Sequence, residues 1–499
     1  MVERSRFFEE RLNKLNKLKD RGINPFPYRF SPTHHSADIV AKYESLANEE
    51  RTKDKVVVAG RIVQFRDMGK IAFMHLQDMK GKIQLFFRKD DIGDNFYSLL
   101  KLIDLGDIIG AEGTVFRTKA GEISVYIESF EILCKSMHPL PEKYHGLKDP
   151  ELRYRLRYLD LIMNPSVKDV FVQRSRIFQA MRSYLEQQNF VEVETPALQT
   201  IYGGANAKPF ITHINAWNMR MYLSISPELY LKRLIVGGFD RVYTICKNFR
   251  NEGVDRSHNP EFTMMECYSA YWDYNDVMKF MEEMCAYIAV KVNGTTKVQF
   301  GDHLLDFSAP WNRLSMKDAI KEYADIDVDS LSDEELFELR ITYNLEAKGD
   351  LNRGKIIELL FDELCSRKII QPTHIINHPK ESTPLCKINR QDPALIERFE
   401  SFIAGTELCN AYSELNDAIL QRELLEEQAK ALRAGSDEAH PMDEDFVRAM
   451  EFGMPPTGGI GIGVDRLVMF LTNQQSIRDV IMFPTMKPEE DSDEKKSEK

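Results

Sequence analysis

The sequence predicts a multidomain α+β protein, and three observations predict it. The chain has 499 residues, more than one hydrophobic core usually organises, so two or three domains are expected. Short alternating strand patterns fill residues 55 to 136. Beyond residue 166, long helical patterns mix with further strands. Hydrophobic residues make up 43 % and charged residues 29 %, which places the chain among soluble globular proteins. It holds no run of about 18 uncharged apolar residues. The N-terminus is charged throughout and lacks the apolar stretch of a secretory signal. Seven cysteines lie far apart with no CxxC pair, which argues against structural zinc or disulfides and for reduced thiols in the cytoplasm. A net charge of −12 argues against a protein that coats nucleic acid broadly, yet leaves room for a local basic patch.

Residues 1 to 54 are expected to be a helical arm, with an amphipathic helix over residues 3 to 21. Phe7, Leu12, Leu15 and Leu18 recur at helical spacing, and Pro25, Pro27 and Pro32 end the pattern. Its first 22 residues carry seven Lys/Arg against four Asp/Glu. Residues 55 to 136 hold five short strands with an apolar helix, NFYSLLKLI, between the third and fourth. That arrangement suits an OB-fold barrel, a fold that stacks single-stranded bases on aromatic side chains, and it suits a generic β-barrel as well. Residues 137 to 165, rich in proline, charge and tyrosine, read as a linker. A long helix from Val167 to about Asn189 and the run FVEVETPAL open the large domain, residues 166 to 486. Residues 278 to 373 read mostly helical, as an insertion. Residues 487 to 499 are polar, of mixed charge and expected to be disordered.

The most informative stretch is FRNEGVDRSHNPEFTMMECY, Phe249 to Tyr268. Turn formers at Gly253, Asp255, Ser257, Asn259 and Pro260 make it a hairpin between strands over Tyr243 to Arg250 and Glu261 to Tyr271. Alternation then sets Phe262, Met264, Glu266 and Tyr268 on one face, with Arg250 and Glu252 at the strand end. Such a floor suits a nucleotide and a cationic small molecule. The whole string closely resembles motif 2 of the class II aminoacyl-tRNA synthetases, in the form used by the lysyl-tRNA synthetases.

Two further strings carry the same resemblance. GGIGIGVDRLVMFL, residues 458 to 471, reads as a flat buried strand whose glycines let a ring or a backbone lie close. It is neither a dinucleotide fingerprint nor a P-loop, and it is similar to motif 3 of the class. In TELCNAYSELND, residues 406 to 417, Asn410, Tyr412, Glu414 and Asn416 share one strand face. Glu407 has the opposite parity, so a bulge or a bend is needed if Glu407 and Glu414 are to share a metal. The helix ending in FVEVETPAL resembles motif 1, which implies a homodimer. Neither HIGH nor KMSKS of the class I enzymes occurs.

The resemblance implies a class II catalytic domain on a mainly antiparallel sheet flanked by helices, acting on ATP, L-lysine and tRNA(Lys). Arg250 and Arg466 are its catalytic residues by that likeness. ATP contacts fall to Arg250, Glu252, His258, Asn259, Phe262, Glu407, Leu408 and Arg466, with Arg256 adding charge. Lysine contacts fall to Gly204, Glu228, Arg250, Glu266, Tyr268, Asn410, Tyr412, Glu414 and Asn416, with Gly204 and Ala205 in a closing loop. Glu228 lies in SISPELYLKRL, which resembles the family's substrate strand. Two carboxylates, Glu228 and Glu266, repel an aspartate side chain and welcome an ammonium, because a buried unpaired carboxylate is costly. Arginine is the rival that charge alone does not reject. The cofactor Mg²⁺ falls to Glu407 and Glu414, with phosphate oxygens and waters completing its shell. On the barrel, Phe73 is expected to stack on an anticodon base, with Arg61, Gln84 and Glu122 hydrogen-bonding to bases.

Overall fold

Five strand runs close into a barrel in the computed structural model, which describes residues 6–141, 147–345, 351–433 and 441–488. The strands are β1 (Arg51–Asp67), β2 (Ile71–Gln77), β3 (Lys82–Arg88), β4 (Ile108–Arg117) and β5 (Ile123–Cys134), ordered β1-β2-β3-β5-β4. Only β3 and β5 pair in parallel. Inward positions alternate with outward ones, so Met74, Leu76, Leu85, Val125 and Ile127 fill the interior. Between β3 and β4 the chain is helical over Asp94–Leu99, where a helix is expected. The arm helix is Arg6–Asp20. Two short helices, Pro150–Arg155 and Arg157–Met163, occupy much of the expected linker. The expected disordered tail lies outside the described residues from 489 onward.

The chain divides into two compact units, Met1–Arg153 with Tyr158–Pro165, and Tyr154–Arg157 with Ser166–Lys499. The second contains β6 (Val191–Glu192), then a small sheet of β7 (Leu198–Gln199), β8 (Ile211–Ile214) and β9 (Met219–Leu223). Next come β10 (Arg241–Phe249) and β11 (Glu261–Ala270), a two-stranded pair β12 (Lys297–Phe300) and β13 (His303–Asp306), and β14 (Asn312–Ser315). The last four are β15 (Thr373–Pro379), β16 (Leu395–Ile403), β17 (Thr406–Ser413) and β18 (Thr457–Gly463). Eight of these form one sheet in the order β14-β15-β16-β17-β18-β11-β10-β6. It is antiparallel except for the outermost pair at each edge, β14 with β15 and β6 with β10.

The helix Pro165–Gln187 begins on a proline, whose missing N–H costs nothing at that position. Phe171, Ile177, Met181 and Leu185 line its buried stripe. The helix Tyr274–Asn293 is set by a capping box of Asp273 and Asp276 and ends at Gly294, whose φ of +75° suits glycine. Met265, Cys267, Leu408, Ala411, Ile460 and Ile462 join residues of both helices in the main core. Residues between them in the strands, such as Glu266, Asn410 and Gly461, therefore face the other way.

The segment from 278 to 373 is less helical than its sequence suggests. It contains β12, β13 and the edge strand β14, each four residues long and too short to show an alternation of its own. Its helices Met316–Ala324 and Arg353–Leu364 build a separate core that includes Ile375 and Phe402 of the large sheet.

Candidate functional site

The open face of the large sheet is a trough made by rows of residues in register across four strands. One row runs Glu266, Gly461, Asn410, Glu400 across β11, β18, β17 and β16. The next runs Tyr268, Gly459, Tyr412, Arg398. Each row has a glycine in its second strand, so β18 forms a low floor between side-chain walls. A Cβ at position 459 would collide with Glu414 Oε1 and the Tyr268 ring. These residues line a cavity of about 340 Å³ together with Gly204, Ala205, Glu228, Arg250, Glu252, His258, Asn259, Phe262, Glu407, Leu408 and Arg466.

Arg250 follows β10, where its backbone N–H donates to Pro260 O at 2.9 Å and closes the hairpin. Its guanidinium lies 5.1 Å from the centre of the Phe262 ring, and its buried Nε has no protein partner. Burial pulls its pKa down, against the pull of the Glu407 charge. An anion in the trough would satisfy that donor. Arg466, in the first turn of the helix Val464–Leu471, donates to Glu407 O at 2.6 Å and lies 3.3 Å from Glu407 Oε2. That helix is anchored by Asp465, which accepts from Thr263 N at 2.7 Å and pairs with Arg174 at 2.6 Å.

The far end is anionic. Glu228, Glu266 and Glu414 are all buried there. Lys232 Nζ lies 2.6 Å from Glu228 Oε1 and 2.5 Å from Glu414 Oε2. Burial works against the Lys232 charge, but Glu228 and Glu414 outweigh it and raise its pKa. The contact to Glu414 is ionic but poorly aligned, and both Glu414 oxygens keep unused acceptor capacity. Burial and then the Glu228 charge push Glu266 up to about 8, while Ser226 Oγ donates to it at 2.9 Å. One ammonium thus pairs with two of the three carboxyl groups, and the third, Glu266, accepts from the Ser226 and Tyr268 hydroxyls.

Comparison with known proteins meets this geometry at both ends of the chain. Residues 149–487 match the family model of the class II tRNA synthetases (D, K and N). The chain belongs to this family. Residues 56–133 match the OB-fold nucleic acid binding domain. Lysine--tRNA ligases of Clostridium perfringens and Bacillus subtilis are 52 % and 51 % identical to this synthetase over 484 and 480 residues, 96 % of each chain. One from Clostridium botulinum is 52 % identical over 487 residues.

Most of the residues anticipated for ATP and lysine meet in the synthetase's trough, and the four strand-face residues Phe262, Met264, Glu266 and Tyr268 all line it. Four expectations need correction. Glu228 is not on a strand but opens the helix Glu228–Val236. Asn416 does not line the cavity, because past the end of β17 its amide turns away to donate to Met454 O at 2.9 Å. Arg256 is outside it too, in a turn where its carbonyl accepts from Ile477 N.

The fourth correction concerns the metal pair. Glu407 sits near the start of β17 and Glu414 just past its end. Seven residues of strand set their Cα positions roughly 20 Å apart, farther than two glutamate side chains can reach to share one ion. The expected bulge exists: Ser401 faces Cys409 while Phe402 faces Glu407, leaving Leu408 as the extra residue. It turns Glu407 toward Glu400 of β16, whose carboxyl is driven up by burial and by the Glu407 charge. Among the described residues no group of three or more metal-ligating side chains occurs. A pair of oxygen donors is nonetheless what Mg²⁺ takes from a protein when phosphates supply the rest.

Glu400 and Arg398 line the trough and Lys232 is buried against its anionic end, and none of these three charged residues was anticipated from the sequence. Arg398 Nε donates to Asn410 Oδ1 at 3.1 Å, and its guanidinium pairs with Glu400. The pattern ERFESF puts Arg398 and Glu400 on one strand face, but a charged face ordinarily marks solvent.

On the barrel, the outward face carries an aromatic row, Phe73, Phe86, Tyr126, beside a polar row, His75, Gln84, Ser124. Phe73 and Phe86 have ring centres 5.1 Å apart. Glu122 accepts from Gln84 Nε2 at 2.7 Å and lies 2.8 Å from His75 Nε2. Arg61 donates to Gly106 O at 2.7 Å, so part of its guanidinium is engaged by its own domain.

Proposed function

We propose that this synthetase is a lysine--tRNA ligase. It joins L-lysine to ATP as lysyl-adenylate, releases pyrophosphate, and transfers the lysyl group to the 3′-terminal ribose of tRNA(Lys). The observation that carries the choice of amino acid is the end of the trough where Glu228, Glu266 and Glu414 are buried together and a single ammonium, that of Lys232, pairs with only two of them. An aspartate side chain would bring a further anion among these carboxyl groups and asparagine would bring no cation, whereas an ammonium favours and neutralises their ionised forms. The names of the similar ligases agree.

In this reading the lysine ε-ammonium lies among the three carboxylates, with Tyr268, Tyr412 and Asn410 around its stem. Gly204 closes over the amino-acid end, because a side chain there would meet Ser226 and Glu228 at 2.9 Å and its φ of +84° suits glycine. The substrate carboxylate and the α-phosphate both approach Arg250. A carboxylate oxygen attacks the α-phosphorus in line, the bond to the bridging oxygen breaks, and pyrophosphate departs with that electron pair. No side chain acts as nucleophile. Arg250 stabilises charge that grows on the α-phosphate, while register across the sheet positions the reactants. Phe262 and Arg466 sandwich the adenine, Glu252 reads its amino group, and His258 reaches the outer phosphates. Asn259 shapes the loop behind His258, and Leu408 offers backbone beside the nucleotide. Glu400 and Glu407 would hold Mg²⁺, which supplies charge neutralisation for the phosphates when bound. The ribose hydroxyl of tRNA then attacks the lysyl carbonyl and AMP leaves. The helix of motif 1 forms the homodimer contact, and the reaction runs in the cytoplasm.

The test is amino-acid-dependent ATP–pyrophosphate exchange across all twenty amino acids. Lysine should stand alone. Arg250→Ala should lower lysine-dependent exchange by at least about 10²-fold, the usual loss of one donor to a developing oxyanion. Near-normal exchange in that variant, or a different preferred amino acid, overturns the reading.

A further inference from the structure

On the core side of the same strands runs a chain of buried polar groups that the reaction above does not use. Cys409 Sγ donates to Ser401 Oγ at 3.0 Å. Ser401 Oγ lies 2.7 Å from His374 Nδ1, and His374 Nε2 lies 3.1 Å from Glu282 Oε1. None of the four residues is more than 2 % exposed. Three of them form a row in register across β15, β16 and β17, and Glu282 meets it from the helix Tyr274–Asn293. The imidazole is clamped, stacked on Trp311 at 5.2 Å and edge-on to Phe399 at 5.0 Å.

Each proton in this chain has a settled place. The Glu282 carboxylate only accepts, so His374 Nε2 carries a hydrogen. Burial lowers the His374 pKa against the pull of Glu282, so the ring is neutral and Nδ1 is bare. Nδ1 therefore accepts from the Ser401 hydroxyl, and the Ser401 oxygen accepts from the Cys409 thiol. The bonds all run one way, which lets each polarise the next. Burying four polar groups is costly unless they are satisfied, and here they satisfy one another.

The chain ends where the sheet departs from regular pairing. Ser401 and Cys409 are the last matched pair before the bulge at Leu408. Counted back from Glu414, Tyr412 and Asn410 without a bulge, position 407 would face the core. We propose that the Glu282–His374–Ser401–Cys409 chain is a positioning device that pins the β17 bulge and thereby aims Glu407 at the phosphate end of the trough. The proposal rests on reading Glu407 as an ATP and Mg²⁺ residue.

Four variants of the full chain test it: Ser401→Ala, His374→Phe, Cys409→Ser and Glu407→Gln. Ser401→Ala removes one oxygen and is the decisive variant where His374→Phe fails to fold. In the ligand-free protein, Ser401→Ala should speed amide hydrogen exchange in residues 406–413 about tenfold relative to β10 and β11. It should raise the KM for ATP, and the Mg²⁺ concentration for half-maximal exchange, about fivefold or more while leaving the KM for lysine within about twofold. Cys409→Ser, which keeps a donor, should match the unsubstituted protein. Unchanged amide exchange, or equal shifts in both KM values, overturns the positioning role. If Glu407→Gln itself leaves the ATP and Mg²⁺ dependence unmoved, the reading of Glu407 fails instead, and the device loses its target.

Discussion

Glu266 makes the selectivity pocket sensitive to pH in a predictable direction. Its pKa of about 8, raised by burial and then by Glu228, leaves it mostly protonated at neutral pH in the empty trough. A bound lysine ammonium favours the ionised form, so binding expels a proton. Lysine affinity should therefore rise with pH and level off above about 8, by up to about tenfold per unit below that. Calorimetry at pH 7 in buffers of different ionisation heat should find proton release, and Glu266→Gln should lessen it, leaving the share of Glu414, which burial also pushes up to about 8. Release of the same size from that variant would assign the proton elsewhere. The residue scale also marks how far the sequence could be read. Arg250, Glu266 and Arg466 stand in strings that carry the family resemblance, so their meeting in one site was legible. Lys232 and Glu400 look like ordinary surface charges in YLKRL and ERFESF. Only strand pairing and the packing of the helix Glu228–Val236 turn them inward.

Among the elements, β18 depends most on its composition. Gly459 and Gly461 leave the floor empty between Tyr268 and Tyr412 and between Glu266 and Asn410. Gly459→Ala should put a methyl group into Glu414 and Tyr268, with an overpacking cost of about 1–3 kcal/mol taken up by the pocket. With the phosphates farther along the trough, as proposed above, the expected result is a KM for lysine raised about tenfold or more with little change for ATP. Steady-state exchange kinetics against each substrate decide it, and an unaltered lysine KM would mean the floor is not the binding surface. The glycine pattern was legible as a close approach of something flat. The bulge was legible as a requirement, since Glu407 breaks the parity of its strand. Its partner was not, because parity within one strand says nothing about the neighbour. Distance along β17 then excluded Glu414, and the same distance explains why one short string serves both ends of the trough.

At the scale of the whole molecule, the proposed function divides the work between the two units, amino-acid activation in one and tRNA choice in the other. Phe73 belongs to the barrel and lies in no wall of the trough. Phe73→Ala should therefore weaken aminoacylation through tRNA affinity, by about 1–3 kcal/mol for a lost base stack, and leave lysine-dependent exchange intact. Parallel assays of the two half-reactions check this, and equal damage to both would rule out a purely anticodon role. The barrel was legible from five closely spaced strand runs. The large sheet was legible only as segments, because its neighbours are far apart in sequence and one edge strand arrives inside a mostly helical stretch.

The sheet order has a consequence for the timing of synthesis. β18 lies between β11 and β17, yet it is the last of the eight strands along the chain. The barrel is complete by residue 134, so it can close while the ribosome is still far from finishing. The trough cannot, since its floor is missing until residue 463 has been made. Until then β11 and β17 each present an open edge that would pair with any stray strand. A nascent chain can thus hold a tRNA-facing domain for most of its elongation while being unable to activate an amino acid, and it gains that chemistry in a single late step.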